Sequence, residues 1–206
     1  MTHCQILLPA FIIIIVAFSG GCLSSILPAD SHPSPVSLTP AQPVNSQTLT
    51  SSLSGAFTIR IDSLDNGAVL PDAYTCKGSG ESPAVSWDGI PNGTKSLVLI
   101  VDDPDAPGGR FTHWIVYNIP PESTGLARAQ PIAKVLANGA QQGDTSTGSR
   151  GYYPPCPPKG ATHRYIFRLF AVDMDITQPT ADRESIDWAL TGHTLAETRV
   201  TTTFKR

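Results

Sequence analysis

Two short stretches of the chain concentrate side chains able to bind or hold charge. Asp102-Asp103-Pro104-Asp105-Ala106-Pro107 groups three carboxylates and is followed, after Gly108-Gly109, by His113. The prolines on either side of Asp105 fix φ and remove two amide donors, so this is a stiff loop that can hold carboxylates beside a neighbouring strand. The second stretch, Gly151-Tyr152-Tyr153-Pro154-Pro155-Cys156-Pro157-Pro158-Lys159-Gly160, leads into His163-Arg164-Tyr165. Taken singly, an Asp-Pro-Asp loop reads first as a turn satisfied by its own amides, and a lone His at a strand start as structural. Together they say more. Two stiff loops each lead to a strand beginning with His, and loops on a rigid scaffold are favoured places for ligand contacts. No nucleophile with an adjacent base stands out, and there is no P-loop, so the residues point to a binding pocket rather than an enzyme.

The elements that must position these loops read as strands. Nineteen prolines and 17 glycines favour turns and irregular connections, hence a β-rich fold. Phe57, Ile59 and Ile61 alternate with Thr58 and Arg60, as in a half-buried strand. Ser96 to Val101 is a continuous apolar run after the turn Pro91-Asn92-Gly93, which suits a strand buried on both faces. The spacing from His113 to Ile119 predicts His113, Ile115, Tyr117 and Ile119 on one face and Trp114, Val116 and Asn118 on the other. His163 to Val172 alternates again, with His163 and Tyr165 sharing a face. One helix is predicted late in the chain, with Asp182 as its cap, Glu184 in its first turn and Ile186 and Leu190 on its apolar face. Gly192 is expected to break it before a second helical turn from Thr194 to Arg199.

Charge excludes other classes. With 15% charged residues, and 14 Lys and Arg against 17 Asp and Glu, the chain is neither a coiled coil nor a nucleic-acid-coating protein. No Lys or Arg precedes Arg60, and Asp30 is the only acid in that stretch. Ile6 to Phe18 is a 13-residue apolar run interrupted by Pro9, short of the ~20 residues a bilayer-spanning helix needs and suited to a signal-peptide h-region. Ser19-Gly20-Gly21-Cys22 then resembles the processing site of prokaryotic lipoproteins, with Cys22 as the lipidated N-terminus. Residues 23–55 are rich in Ser, Thr and Pro without an aromatic residue, and read as a disordered tether. At ~3.1 Å per residue in extended form, it would hold a domain up to roughly 100 Å from a membrane. The expected organisation is a signal peptide over 1–22, a tether over 23–55 and one folded domain over 56–206, with an extracytoplasmic address.

The ordered set DPDAP, HW, GYYPPCPPKG and HRY resembles the phosphatidylethanolamine-binding protein family, in its prokaryotic branch. Tyr74-Thr75-Cys76, Ser82-Pro83, Trp87, the turn from Gly93 to Ser96 and Gly192-His193 belong to the same resemblance. It implies a mostly β fold: a central antiparallel β-sheet packed on a smaller second sheet, with short C-terminal helices. It also implies a small anion pocket at one end of the sheet, lined by Asp103, Asp105, His113, His163 and Tyr165, with the Pro155 loop as wall.

In such a pocket the two histidines and the tyrosine would supply donors to phosphate oxygens, and the two carboxylates would favour the protonated imidazoles. The carboxylates would repel phosphate directly, so they are expected to orient the histidines or to face the ammonium of a zwitterion such as phosphoethanolamine. Where relatives carry Gly before the proline run this chain has Pro154, which removes an amide donor; Cys156 or a neighbour must replace it, or affinity falls. Once Cys22 is lipidated and Cys4 removed, Cys76 and Cys156 remain in segments the family brings to the pocket rim, and a disulfide between them is expected. No cofactor is expected. Two other readings compete: an inhibitor or regulator of an extracytoplasmic protease, and a metal-dependent hydrolase built on the two Asp and two His.

Overall fold

The computed structural model describes residues 55–177 and 180–206; the signal segment, Cys22 and nearly all of the tether fall before them. Among the described residues no helix is long and apolar enough to cross a membrane. The organising element is the Ser96–Asp103 strand, β3 in the chain order β1 Thr58–Ile61, β2 Val85–Asp88, β3, β4 Phe111–Ile119, β5 Gly125–Leu126, β6 Gln141–Gln142, β7 Thr162–Val172, α1 Arg183–Leu190 and β8 Thr194–Lys205. Every residue of β3 is buried. Leu97, Leu99 and Val101 enter one core and Val98 and Ile100 the other. Each such side chain contributes about 1.5–3 kcal/mol by leaving water.

The strands form two antiparallel sheets, one ordered β1-β2-β5 and the other β6-β4-β3-β7-β8. The larger core lies between them, where Ile59, Ile61, Val85 and Trp87 of the small sheet meet Trp114, Val116, Phe167 and Leu169 of the large one. On the opposite face of the large sheet, Ile115, Tyr117, Phe170 and Val172 are covered by Ile186, Ala189 and Leu190 of α1. The alternation read from the sequence for β1 and β7, and the continuous apolar run read for β3, are therefore realised as two layers of strand with a helix behind.

Strand β4 departs from simple alternation at both ends. Leu97 pairs with Ile119 but Leu99 with Val116, so β4 carries an additional residue there. Asn118 sits in this bulge at φ 51, a conformation Asn tolerates better than branched residues. Its amide donates to the Ile176 carbonyl at 2.9 Å and accepts from the Ile176 N–H at 2.7 Å. The bulge moves Ile119 onto the face of Trp114 and Val116, not that of Ile115 and Tyr117 as alternation predicts. At the other end Val101 pairs with Trp114 and Asp102 with Thr112, leaving His113 as the unpaired residue.

The C-terminal region also differs from expectation. Asp182 caps α1 by accepting from the Ser185 N–H, as predicted. The second helical turn is absent: Gly192 turns the chain at φ 80, and Thr194–Lys205 is a strand paired along β7. The β-branched run Val200-Thr201-Thr202-Thr203 and the long partner outweigh local helical preference. Replacing Asn118 by Val removes both Ile176 hydrogen bonds and forces a branched residue to positive φ. Urea unfolding is expected to show a loss of about 2–4 kcal/mol.

Candidate functional site

Strand β3 ends in two adjacent carboxylates that alternation sends to opposite faces. Asp102 accepts from the Thr112 hydroxyl at 2.8 Å and from the Arg183 guanidinium, at 3.2 Å from Nη2, which fastens α1 to the sheet end. Asp103 faces the other way. Its Oδ1 accepts from the Asp105 N–H at 2.8 Å, closing the Asp-Pro-Asp turn, and its Oδ2 lies 2.7 Å from Nδ1 of His163. Both Asp103 and His163 are buried.

The bulge at His113 performs the matching task on β4. Freed from the β3 ladder, the His113 carbonyl accepts from the Tyr153 N–H at 2.8 Å. The Tyr153 carbonyl in turn accepts from Nδ1 of His113 at 2.7 Å. The proline loop is thus zipped to the bulge by backbone and ring together. Tyr152 anchors it inward, its hydroxyl donating to the Tyr74 carbonyl at 2.9 Å and its ring meeting Trp114 edge-on. A disulfide joins Cys76 to Cys156 across 80 residues of sequence, and the Cys76 N–H donates to the Pro155 carbonyl at 3.0 Å.

Between the two loops lies a cavity of about 200 Å³, lined by Asp103, Ala106, Pro107, Phe111, His113, Tyr153, Cys156, Pro157, Pro158 and His163. At ~30 Å³ per liquid water it holds several waters or one small anion. Asp103, His113 and His163, expected from the sequence, come together here. Three others are placed differently. Asp105 is not part of the lining, because its carboxylate takes the Arg164 guanidinium at 2.6 and 2.9 Å and the Arg164 N–H at 2.9 Å. Pro155 is buried and outside the lining, and Pro157 and Pro158 form the wall instead. Tyr165 lies beneath the cavity floor with its ring edge-on to His113 at 5.3 Å, and its fully buried hydroxyl has no hydrogen-bond partner. Pro154 packs against Gly80, away from the lining.

Electrostatics follow from these contacts. Hydrogen bonding to Arg164 holds the Asp105 carboxyl down at about 2. The expectation that carboxylates would favour protonation of both imidazoles fails at His113, where burial is the largest influence and pushes the pKa below the usual imidazole value. Burial, reinforced by Asp103 and Asp105, pushes the Tyr165 hydroxyl above the ordinary phenol range. Among the described residues no group of three or more His, Cys, Asp or Glu side chains has the arrangement of a metal site. Sequence reasoning missed Phe111, Tyr153 and Arg183. The pair Tyr152-Tyr153, one inward and one at the cavity, was the available signal for the second; nothing local marks Arg183, whose partner Asp102 lies 81 residues away.

The fold agrees with what similarity to known proteins shows. The sequence model described as phosphatidylethanolamine-binding protein matches residues 60–205, and the chain belongs to that family. A UPF0098 protein of Methanothermobacter thermautotrophicus is 48% identical over 139 residues, covering 66% of this chain and 91% of that protein. Another, from Aquifex aeolicus, is 42% identical over 147 residues, covering 70% and 85%. Among solved structures, the phosphatidylethanolamine-binding protein homologue CT736 of Chlamydia trachomatis superposes with TM-score 0.67 at 35% identity, over 73% of this chain and 98% of that one. YBCL of E. coli gives TM-score 0.67 at 29% identity, over 74% and 99%.

Because the disulfide closes so long a loop, replacing both Cys76 and Cys156 by Ser is expected to lower stability by about 2–5 kcal/mol in urea unfolding. Alkylation of the unreduced, unfolded protein should label neither residue.

Proposed function

We propose that the domain binds a small oxyanion in the cavity between the Asp103 and Tyr153 loops, as phosphate, a carboxylate or a phosphorylated head group such as phosphoethanolamine, and does not transform it. The observation that carries this reading is the pair of imidazoles in one small apolar cavity, each with Nδ1 already committed to a neighbouring oxygen and Nε2 left for a ligand. A protonated Nε2–H is a strong donor to oxyanions, and the burial of both histidines strengthens it. Asp103 orients His163 in this arrangement rather than touching the anion itself. The family's name, which records a phospholipid ligand, favours the same chemistry.

The same proposal places the domain outside the cytoplasm, held to a membrane through lipid on Cys22. Support comes from the Ile6 to Phe18 run, the small residues before Cys22 and the Cys76–Cys156 disulfide, a bond kept mainly in oxidising compartments. At 15% charged residues the chain also lacks the charge-rich composition of hyperthermophile proteins, which keep disulfides inside the cell.

Calorimetric titration with phosphate, phosphoethanolamine and acetate is the direct test. His113→Ala and His163→Ala should each raise Kd at least about tenfold, the equivalent of ~1.5 kcal/mol or more for a hydrogen bond to a charged group. Asp105→Asn should change it by less than about threefold, since Asp105 is occupied by Arg164. Saturable binding unaffected by either histidine variant sinks the reading. For the anchor, metabolic labelling with a fatty acid should mark the wild type and not Cys22→Ser.

A further inference from the structure

The cavity's hydrogen-bonding inventory is unusual for an anion site. His113 Nδ1 lies 2.7 Å from a carbonyl oxygen, which only accepts, so Nδ1 carries a hydrogen. His163 Nδ1 lies 2.7 Å from Oδ2 of Asp103, a carboxylate that also accepts the Asp105 N–H, so that nitrogen is the donor as well. In the neutral form of each ring, Nε2 is therefore a bare lone pair. The remaining walls supply no positive charge. Pro107, Pro157 and Pro158 have no N–H and the Tyr153 N–H is used by the His113 carbonyl, which leaves the Tyr153 hydroxyl and the Ala106 and Cys156 amides as neutral donors. With both rings neutral, an incoming dianion meets two lone pairs and the Asp103 carboxylate with no cation in the lining to offset them.

We infer that the cavity takes its anion only together with one proton, carried in on a monobasic oxyacid or taken up by His163 as a fully ionised anion binds. The inference rests on the anion-pocket reading and specifies the ligand's protonation state. His163 is the assigned acceptor because Asp103 stands directly against it from β3. The other charged neighbours do not compete: Asp105 from the same loop is matched by Arg164, and β8 presents the apolar Phe204 opposite His163. The His113 ring on β4 is enclosed by the aromatic rings of Phe111, Tyr153 and Tyr165, an environment that disfavours a second positive charge. Its Nε2 lone pair instead suits the hydroxyl of a monobasic acid. Phosphate monoesters, whose second pKa is about 6, supply such a species near neutrality.

Sulfate is the probe that separates these ideas, because it carries no proton between pH 6 and 8. Its binding to the full chain, in a neutral detergent, is measured by calorimetry at both pH values in two cationic buffers of different protonation enthalpy. Expected are a rise in Kd of up to about 100-fold from pH 6 to pH 8, tenfold per unit where the competent fraction falls with pH, and uptake of about one proton per sulfate. His163→Gln, which sets a neutral amide donor near the position of Nε2, should bind with a Kd that changes less than about threefold over the same range. Equal wild-type affinity at both pH values without proton uptake overturns the inference and leaves the anion pocket standing. Absence of sulfate and phosphate binding at either pH overturns both. The wild-type proton count decides the matter even if the variant fails to fold.

Discussion

The Asp103 carboxylate is the point on which the site's geometry depends. One oxygen closes the turn that carries Asp105, and the other fixes the His163 ring. It can do both because β3 is paired on two sides and cannot drift, and because the adjacent Asp102 is held from behind by Thr112 and Arg183. Two consecutive residues of one strand thereby tie the cavity to the sheet and to the helix layer at once. A buried carboxylate without partners would be strongly destabilising. Here each has them, so the charge specifies position.

The walls complement this polar centre by being stiff and largely apolar. Prolines restrict the backbone of both loops before any ligand arrives, which reduces the ordering cost of binding. The disulfide and the Tyr152 anchor bind the second loop to the segment around Tyr74, so the wall has little freedom to collapse into the cavity. Because both histidines are themselves buried, a charge added to either ring is felt more strongly than at the surface.

Much of the architecture was legible in the chain because side-chain period and burial coincide. The unbroken apolar run of β3 and the alternation in β1 and β7 stand in the sequence as they do in the sheets. The bulges of β4 were not legible. They arise from pairing with β3, and no residue at Thr112 or His113 announces that the count will slip. The same holds for β8, whose strand character comes from β7 beside it rather than from its own first half, Thr194 to Arg199. At the site, residue types and order identified both histidines and Asp103. What a contiguous motif could not convey is which of its members face the cavity: Asp105 belongs to Arg164, Pro157 and Pro158 take the place of Pro155, and Tyr165 lies below.

The outer edge of the large sheet also governs when this fold can come into being. Segment 66–70 lies along β8, with the Asn66 side chain accepting from the Thr201 N–H 135 positions away and Gly67 and Leu70 donating to the Thr201 and Thr203 carbonyls. These contacts join the chain just after β1, the first strand of the small sheet, to the last strand of the large one. During synthesis, 66–70 has no partner until β8 has emerged, and β7 lacks one whole side of its ladder. Long-range pairing of this kind is slow to form. The nascent domain therefore stays open through most of translation, the condition in which a chain can still be threaded through a narrow channel.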